Sequence, residues 1–126
     1  MEIEERQKKL DKLLQKLQGS WIFVEGKKDR KALHALGYVS ILTISGNLRQ
    51  SCDRLTAINA EKVFVLTDLD RRGDELAKLA RDELEARSIR ADLEMRKDLG
   101  HLLNIRNFED AKRAYDKIKE ELEKRG

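Results

Sequence analysis

Two rhythms of apolar and polar residues alternate along the chain: stripes at helical spacing and short, unbroken apolar runs. Ile3, Leu10, Leu13, Leu14 and Leu17 recur near helical spacing, which predicts an amphipathic helix over 2–18 stopped by Gly19. Trp21-Ile22-Phe23-Val24 then forms a continuous apolar run ending at Glu25-Gly26, as expected of a strand buried on both faces of a parallel sheet. A helix over about Lys28–Leu36, closed by Gly37, comes next. The alternation repeats with a strand at Ile41–Ile44, a turn at Ser45-Gly46-Asn47 and a helix over about Leu48–Ile58. Val63–Leu66 is a further buried strand, and Asp68-Leu69-Asp70 leads from it into a helix over about Gly73–Arg87. Ile89, Ala91, Leu93 and Met95 alternate with Arg90, Asp92, Glu94 and Arg96, the pattern of a strand with one wet face at a sheet edge. Asn107 is expected to cap a last helix to about Lys124, with Asp110 three residues on and Ala111, Tyr115, Ile118 and Leu122 on one face.

The order α-β-α-β-α-β-α-β-α implies right-handed crossovers and an α/β fold, a three-layer α/β/α sandwich around a four-stranded parallel sheet. At 126 residues, with no linker, repeat or low-complexity tract, a single domain is expected. The apolar stripes of the two terminal helices are expected to pack within the monomer, with a homodimer or a larger nucleoprotein complex as alternatives. A net charge of +3 is too small to mark a condensing tail and suits a local basic patch at most. Cys52 is the lone cysteine, so no internal disulfide can form; it reads as a small buried hydrophobe in a reducing cytoplasm. One Cys with His34 and His101 cannot supply a usual zinc ligand set. The charged N-terminus lacks the apolar stretch of a signal peptide, and no run approaches a membrane span.

The chemistry gathers at two strand ends. Glu25 stands in V-E-G-K-K-D and Asp68 and Asp70 in V-L-T-D-L-D, each ending an apolar run just before a helix. The carboxyl ends of parallel strands are where ligands of such sheets collect. Three carboxylates gathered there with Lys and Arg beside them suit Mg²⁺, with Mn²⁺ as a substitute, and a phosphate-bearing substrate. For Glu25 to meet Asp68 and Asp70, the first and third strands must be neighbours. Right-handed crossovers then give the order 2-1-3-4, which leaves the alternating strand at an edge.

These residues resemble the Toprim domain, shared by type IA and II topoisomerases, bacterial-type primases, OLD-family nucleases, certain recombination proteins and a ribosomal-RNA maturation nuclease. The family signature is a Glu after the first strand, a Gly-containing turn after the second and Asp-x-Asp after the third, here Glu25, Gly46 and Asp68/Asp70. The resemblance covers about residues 20–103. E-G-K-K-D and D-x-D-x-x-G (Asp68 to Gly73) are most similar to small stand-alone Toprim proteins and to the Toprim half of the rRNA maturation nuclease. It implies Glu25 as the catalytic residue, either a metal ligand or a general acid/base, and Asp68 and Asp70 as the main metal ligands. Asp74 is a first-turn helix acid or a ligand to a second ion. Lys27, Lys28, Arg30, Arg71 and Arg72, with the Gly46-Asn47 turn, are candidates to meet phosphates, positioning a backbone without reading bases.

Blander roles compete at several positions. Asp29 is read as a first-turn acid answering the helix dipole and not as a ligand. His101, after the edge strand, is a possible site neighbour, with a surface or structural role favoured; His34 is read as structural. The leading functional expectation is a Mg²⁺-dependent nuclease-type phosphodiester phosphoryl transfer on RNA or DNA, with RNA processing implied by the resemblance to the maturation nuclease. The alternative is a non-catalytic nucleic-acid or ribonucleoprotein binding module. Aromatic residues at 5% argue against a platform on which single-stranded bases stack. Topoisomerase and primase activity each need further surfaces that 126 residues do not hold.

Overall fold

The structure, a computed structural model, describes residues 1–125. Its elements are α1 (Ile3–Leu17), β1 (Trp21–Val24), α2 (Lys27–Ala35), β2 (Ile41–Thr43), α3 (Leu48–Ala57), β3 (Lys62–Val65), α4 (Arg71–Glu85), β4 (Arg90–Asp92), α5 (Glu94–Leu103) and α6 (Ala111–Arg125), with a 3-10 turn at Phe108–Asp110 before α6. The four strands form one sheet in the order β2-β1-β3-β4, as the sequence requires. Every pairing is parallel: Ile22 lies opposite Ile41 and Phe64, and Val63 lies opposite Ala91.

Unbroken apolar strands have two faces to bury, and the sheet uses both. Ile22, Val24, Phe64 and Leu66 pack with Leu10 and Leu17 of α1, Leu33 of α2, Leu99 and Leu103 of α5, and Phe108. Phe23, Val63 and Val65 face the other way, onto Cys52 and Leu55 of α3 and Ala77, Ala80 and Leu84 of α4. The two clusters are the two interfaces of a three-layer α/β/α sandwich. Both terminal helices spend their apolar stripes inside the chain: Ile3, Leu10, Leu17, Ala111 and Ile118 are all buried.

The chain departs from the sequence pattern between residues 89 and 107. The alternation from Ile89 to Met95 predicts one long edge strand, yet β4 ends at Asp92 and α5 begins at Glu94. Met95, Leu99, Leu102 and Leu103 share a helical face, and burying that face outweighs extending a half-wet edge. Asp92 Oδ1 accepts from the Met95 N–H at 2.9 Å, satisfying a helix-start donor that the extended reading overlooks. Asn107, expected as a helix cap, has no capping side-chain hydrogen bond; the 3-10 turn intervenes, and α6 starts at Ala111.

Candidate functional site

Because β1 and β3 are adjacent and parallel, their carboxyl ends bring Glu25 and Asp68 together across 43 positions of chain. Glu25 Oε2 accepts from the Asp68 backbone N–H at 2.7 Å. Asp68 Oδ1 in turn accepts from the Phe108 N–H at 2.9 Å, so the turn before α6 completes the site from the far end of the sequence. Asp70 is the N-cap of α4, with Oδ1 accepting from the Gly73 N–H at 2.7 Å. Each of the three carboxylates thus spends one oxygen on a backbone donor and keeps the other without a protein donor among the described residues.

The loop from Thr67 to Gly73 is fixed from several sides. Thr67 is fully buried, and its hydroxyl donates to the Gly73 carbonyl at 2.7 Å. A Cβ on Gly73 would fall 1.7 Å from the Asp68 carbonyl oxygen, so only glycine lets α4 start this close to the loop. Arg96, on α5 and 3% exposed, donates through Nε to the Thr67 carbonyl at 2.8 Å and through Nη2 to the Asp68 carbonyl at 2.5 Å. The same Nη2 donates to Asp74 Oδ1 at 2.6 Å, and this pair holds the Asp74 carboxyl below its usual range.

Electrostatically the site is crowded with negative charge. Burial pushes the Asp68 carboxyl up to about 6; the Phe108 N–H works against that rise, while Asp29, Glu25 and Asp70 add to it. Asp29, 6% exposed, caps α2 by accepting from the Gly26 N–H at 3.0 Å, as its first-turn position suggested. Its carboxyl is also raised, first by burial and then, against the Gly26 N–H, by Glu25 and Glu109. Sequence reasoning left Asp29, Glu109 and Arg96 out of the site, though all three shape it.

The phosphate-binding candidates divide. Lys27 and Lys28 line a shallow depression of about 360 Å³ together with Glu25, Asp29, Asp68, Asn107 and Glu109. Gly46 and Asn47 lie on the turn after β2, whose Ser45 N–H donates to the Glu25 carbonyl at 3.0 Å; Asn47 itself caps α3. Arg30 faces away from the acids, over a hollow beside β2. Arg71 and Arg72 are exposed at the start of α4, with Arg71 3.6 Å from Glu75. His101 lines a separate hollow between α1 and α5 that shares no residue with the acidic depression.

Among the described residues no three His, Cys, Asp or Glu side chains are placed to share one ion. The donor chemistry nonetheless fits a hard divalent cation. Glu25, Asp68 and Asp70 each retain an oxygen, and Asp68 ionises against its neighbours' charge. Mg²⁺ needs only one or two protein carboxylates when waters and a phosphate complete its shell.

The chain is similar to known proteins over most of its length. Residues 20–97 match the Toprim domain. The chain is 32% identical over 119 residues to a UPF0292 protein of Thermococcus sibiricus, covering 91% of this chain and 94% of that one. It is 35% identical over 119 residues to a UPF0292 protein of Thermococcus onnurineus, covering 90% and 89%. A solved structure of a protein from Aquifex aeolicus superposes with a TM-score of 0.71 at 26% identity, covering 82% of this chain and 95% of that one.

Proposed function

The chain belongs to the Toprim domain family, and from that premise we propose that it is a Mg²⁺-dependent protein acting on nucleic acid by nuclease-type phosphodiester phosphoryl transfer. The observation that carries the reading is the bond between Glu25 Oε2 and the Asp68 N–H, 2.7 Å long, which ties the two acidic strand ends into one site. Asp68 and Asp70 would hold the cation through their remaining oxygens, with Asp74, already paired to Arg96, offering its second oxygen nearby. Mg²⁺ bound there would supply charge stabilisation at a phosphoryl oxygen and lower the pKa of a coordinated water. Glu25, half-buried beside Asp68, is the group able to accept or return a proton at its free Oε1. Lys27 and Lys28, at the rim of the same depression, position the phosphate backbone over the acids. Arg96 acts through the loop, holding the Thr67 and Asp68 carbonyls so that the Asp68 side chain keeps its direction.

The carboxylates do not converge on one point among the described residues, and this favours a second reading: a non-catalytic nucleic-acid or ribonucleoprotein binding module. One experiment separates the two. Structured RNA, single-stranded DNA and duplex DNA are incubated with the chain in Mg²⁺, Mn²⁺ or EDTA, beside the variants Asp68→Asn and Glu25→Gln. Phosphoryl transfer requires cleavage only with a divalent cation, falling about a hundredfold or more in Asp68→Asn and about 10²–10⁴-fold in Glu25→Gln. Salt-sensitive binding without product supports the module, and cleavage that persists in EDTA or in both variants overturns the site.

A further inference from the structure

A hollow of about 850 Å³ between α2 and α6, beside the acids, is of mixed sign. Its Lys112 and Arg113 are already paired with Asp116 and Asp110 at 2.6 and 2.5 Å. The hollow on the other side of α2 differs. About 530 Å³ in volume, it is lined by Lys27, Arg30, Lys31, His34, Val39 and Ile41, with no acid among them. None of the four basic residues makes an ion pair among the described residues. Their spacing of i, i+3, i+4 and i+7 sets them in one row on the exposed face of α2. His34 Nδ1 lies 3.2 Å from the Tyr38 carbonyl, a contact that turns the ring's other nitrogen outward.

This row begins at the active-site rim. Lys27 lines both the acidic depression and the basic hollow, and α2 runs from there down beside β2, an edge strand of the sheet. From Lys27 to His34 the helix rises about 10 Å, the axial length over which one strand of a duplex presents about three phosphates. The start of α4 offers no equal path, because Arg71 is close to Glu75 and Asp74 and Asp82 interrupt the exposed cations.

We infer that the α2 row Lys27-Arg30-Lys31-His34 is a phosphate track, carrying a nucleic-acid backbone from the acidic depression along α2 toward the β2 edge. Lys31 and His34 join the binding surface by this route, and Val39, 79% exposed, gives the track an apolar floor where a sugar can rest. The inference rests on the proposed action on nucleic acid. It adds the direction in which substrate leaves the site, and its contacts are with backbone, so binding along it is indifferent to sequence.

The test measures binding of labelled single-stranded and duplex oligonucleotides in EDTA, where no cleavage intervenes, over a series of salt concentrations. The track requires the double variant Lys31→Gln/His34→Gln to bind about tenfold more weakly, equally across sequences. Its log–log salt slope should fall by about 0.7 for single strands or about 0.9 for duplex, the share of the Lys31 contact. Lys8→Gln, an exposed cation on α1, should bind like the unsubstituted chain. Circular dichroism confirms that each variant is folded. If Lys31→Gln/His34→Gln binds with unchanged affinity and slope while the unsubstituted chain still cleaves in Mg²⁺, the track is overturned and the proposed function stands. If the unsubstituted chain binds no nucleic acid at any salt in EDTA yet cleaves it in Mg²⁺, the track falls alone; if it neither binds nor cleaves in Mg²⁺, both fall together.

Discussion

At Asp68, burial pushes the carboxyl up to about 6 from an ordinary 3.8, the Phe108 N–H resists, and the charges of Asp29, Glu25 and Asp70 push further. A folded-state value above the unfolded one means that, between about pH 4 and 6, the native state holds the extra proton. Stability conferred by the protonated form is therefore lost as pH rises through that window. In EDTA, Asp68→Asn should melt above the unsubstituted protein at pH 8, by about 1 kcal/mol after allowance for solvent screening, and match it near pH 3.5. The amide oxygen still accepts from the Phe108 N–H, so the variant isolates the charge. Scanning calorimetry at the two pH values checks it, and equal melting at pH 8 would show that Asp68 ionises without cost. The same charge excess makes a cation stabilising: Mg²⁺ at a hundredfold over its Kd should add about 2.7 kcal/mol to the unsubstituted protein and far less to Asp68→Asn. Thermal shifts with and without EDTA read that difference directly.

Among the elements, the start of α4 and the whole of α5 hold the Asp68 loop, and they differ in how well sequence announced them. D-x-D-x-x-G was legible as a family motif, while its local work, Asp70 capping α4 and Gly73 letting the helix start hug its own loop, came only with the structure. A Cβ on Gly73 has backbone 1.7 Å away and nothing flexible to displace, so Gly73→Ala should cost about 1–3 kcal/mol and weaken Mg²⁺ binding. Urea denaturation and a Mg²⁺ titration would measure both, and a variant as stable as its parent would mean the loop relaxes freely. By contrast α5 was hidden. The alternation Ile89-Ala91-Leu93-Met95 reads as a strand, and glycine, as at position 100, is a poor helix residue. Yet Gly100 is buried against Leu69, where an added Cβ would lie 1.9 Å from Cδ1. Met95, Leu99, Leu102 and Leu103 carried the helical spacing, and with the helix went Arg96, whose role no local motif declares. Arg96→Lys lacks the planar fork that reaches two carbonyls and Asp74 together, and should cost about 2 kcal/mol through the unmet carbonyls.

Across the whole molecule, the strand order was readable because handedness and the need to join Glu25 to Asp68 leave one arrangement of four parallel strands. What lies around the sheet was less readable, since the reach of a core depends on contacts between distant segments. The Toprim match spans residues 20–97, but much of the cover on the face of the sheet beneath Glu25 and Asp68 comes from outside that span. Leu10 and Leu17 of α1, Leu99 and Leu103 of α5, and Phe108 all pack on Ile22, Val24, Phe64 and Leu66. The Phe108 N–H that binds Asp68 also comes from beyond residue 97. A fragment limited to 20–97 would therefore keep Leu33 of α2 on this face but lose α1, Leu99, Leu103 and Phe108 from it, and would leave Asp68 without its donor. Each buried Leu removed in this way forfeits about 1.5–3 kcal/mol, so a few of them exceed the whole stability of a domain this size. The 20–97 fragment is expected to be unfolded by circular dichroism and blind to Mg²⁺. The full chain should instead unfold in one transition, with fluorescence of its single tryptophan, Trp21 in β1, coinciding with loss of helix. Should the helix signal melt well before Trp21 is exposed, α1 and α6 would be appendages to an independent sheet, and the site would not depend on them.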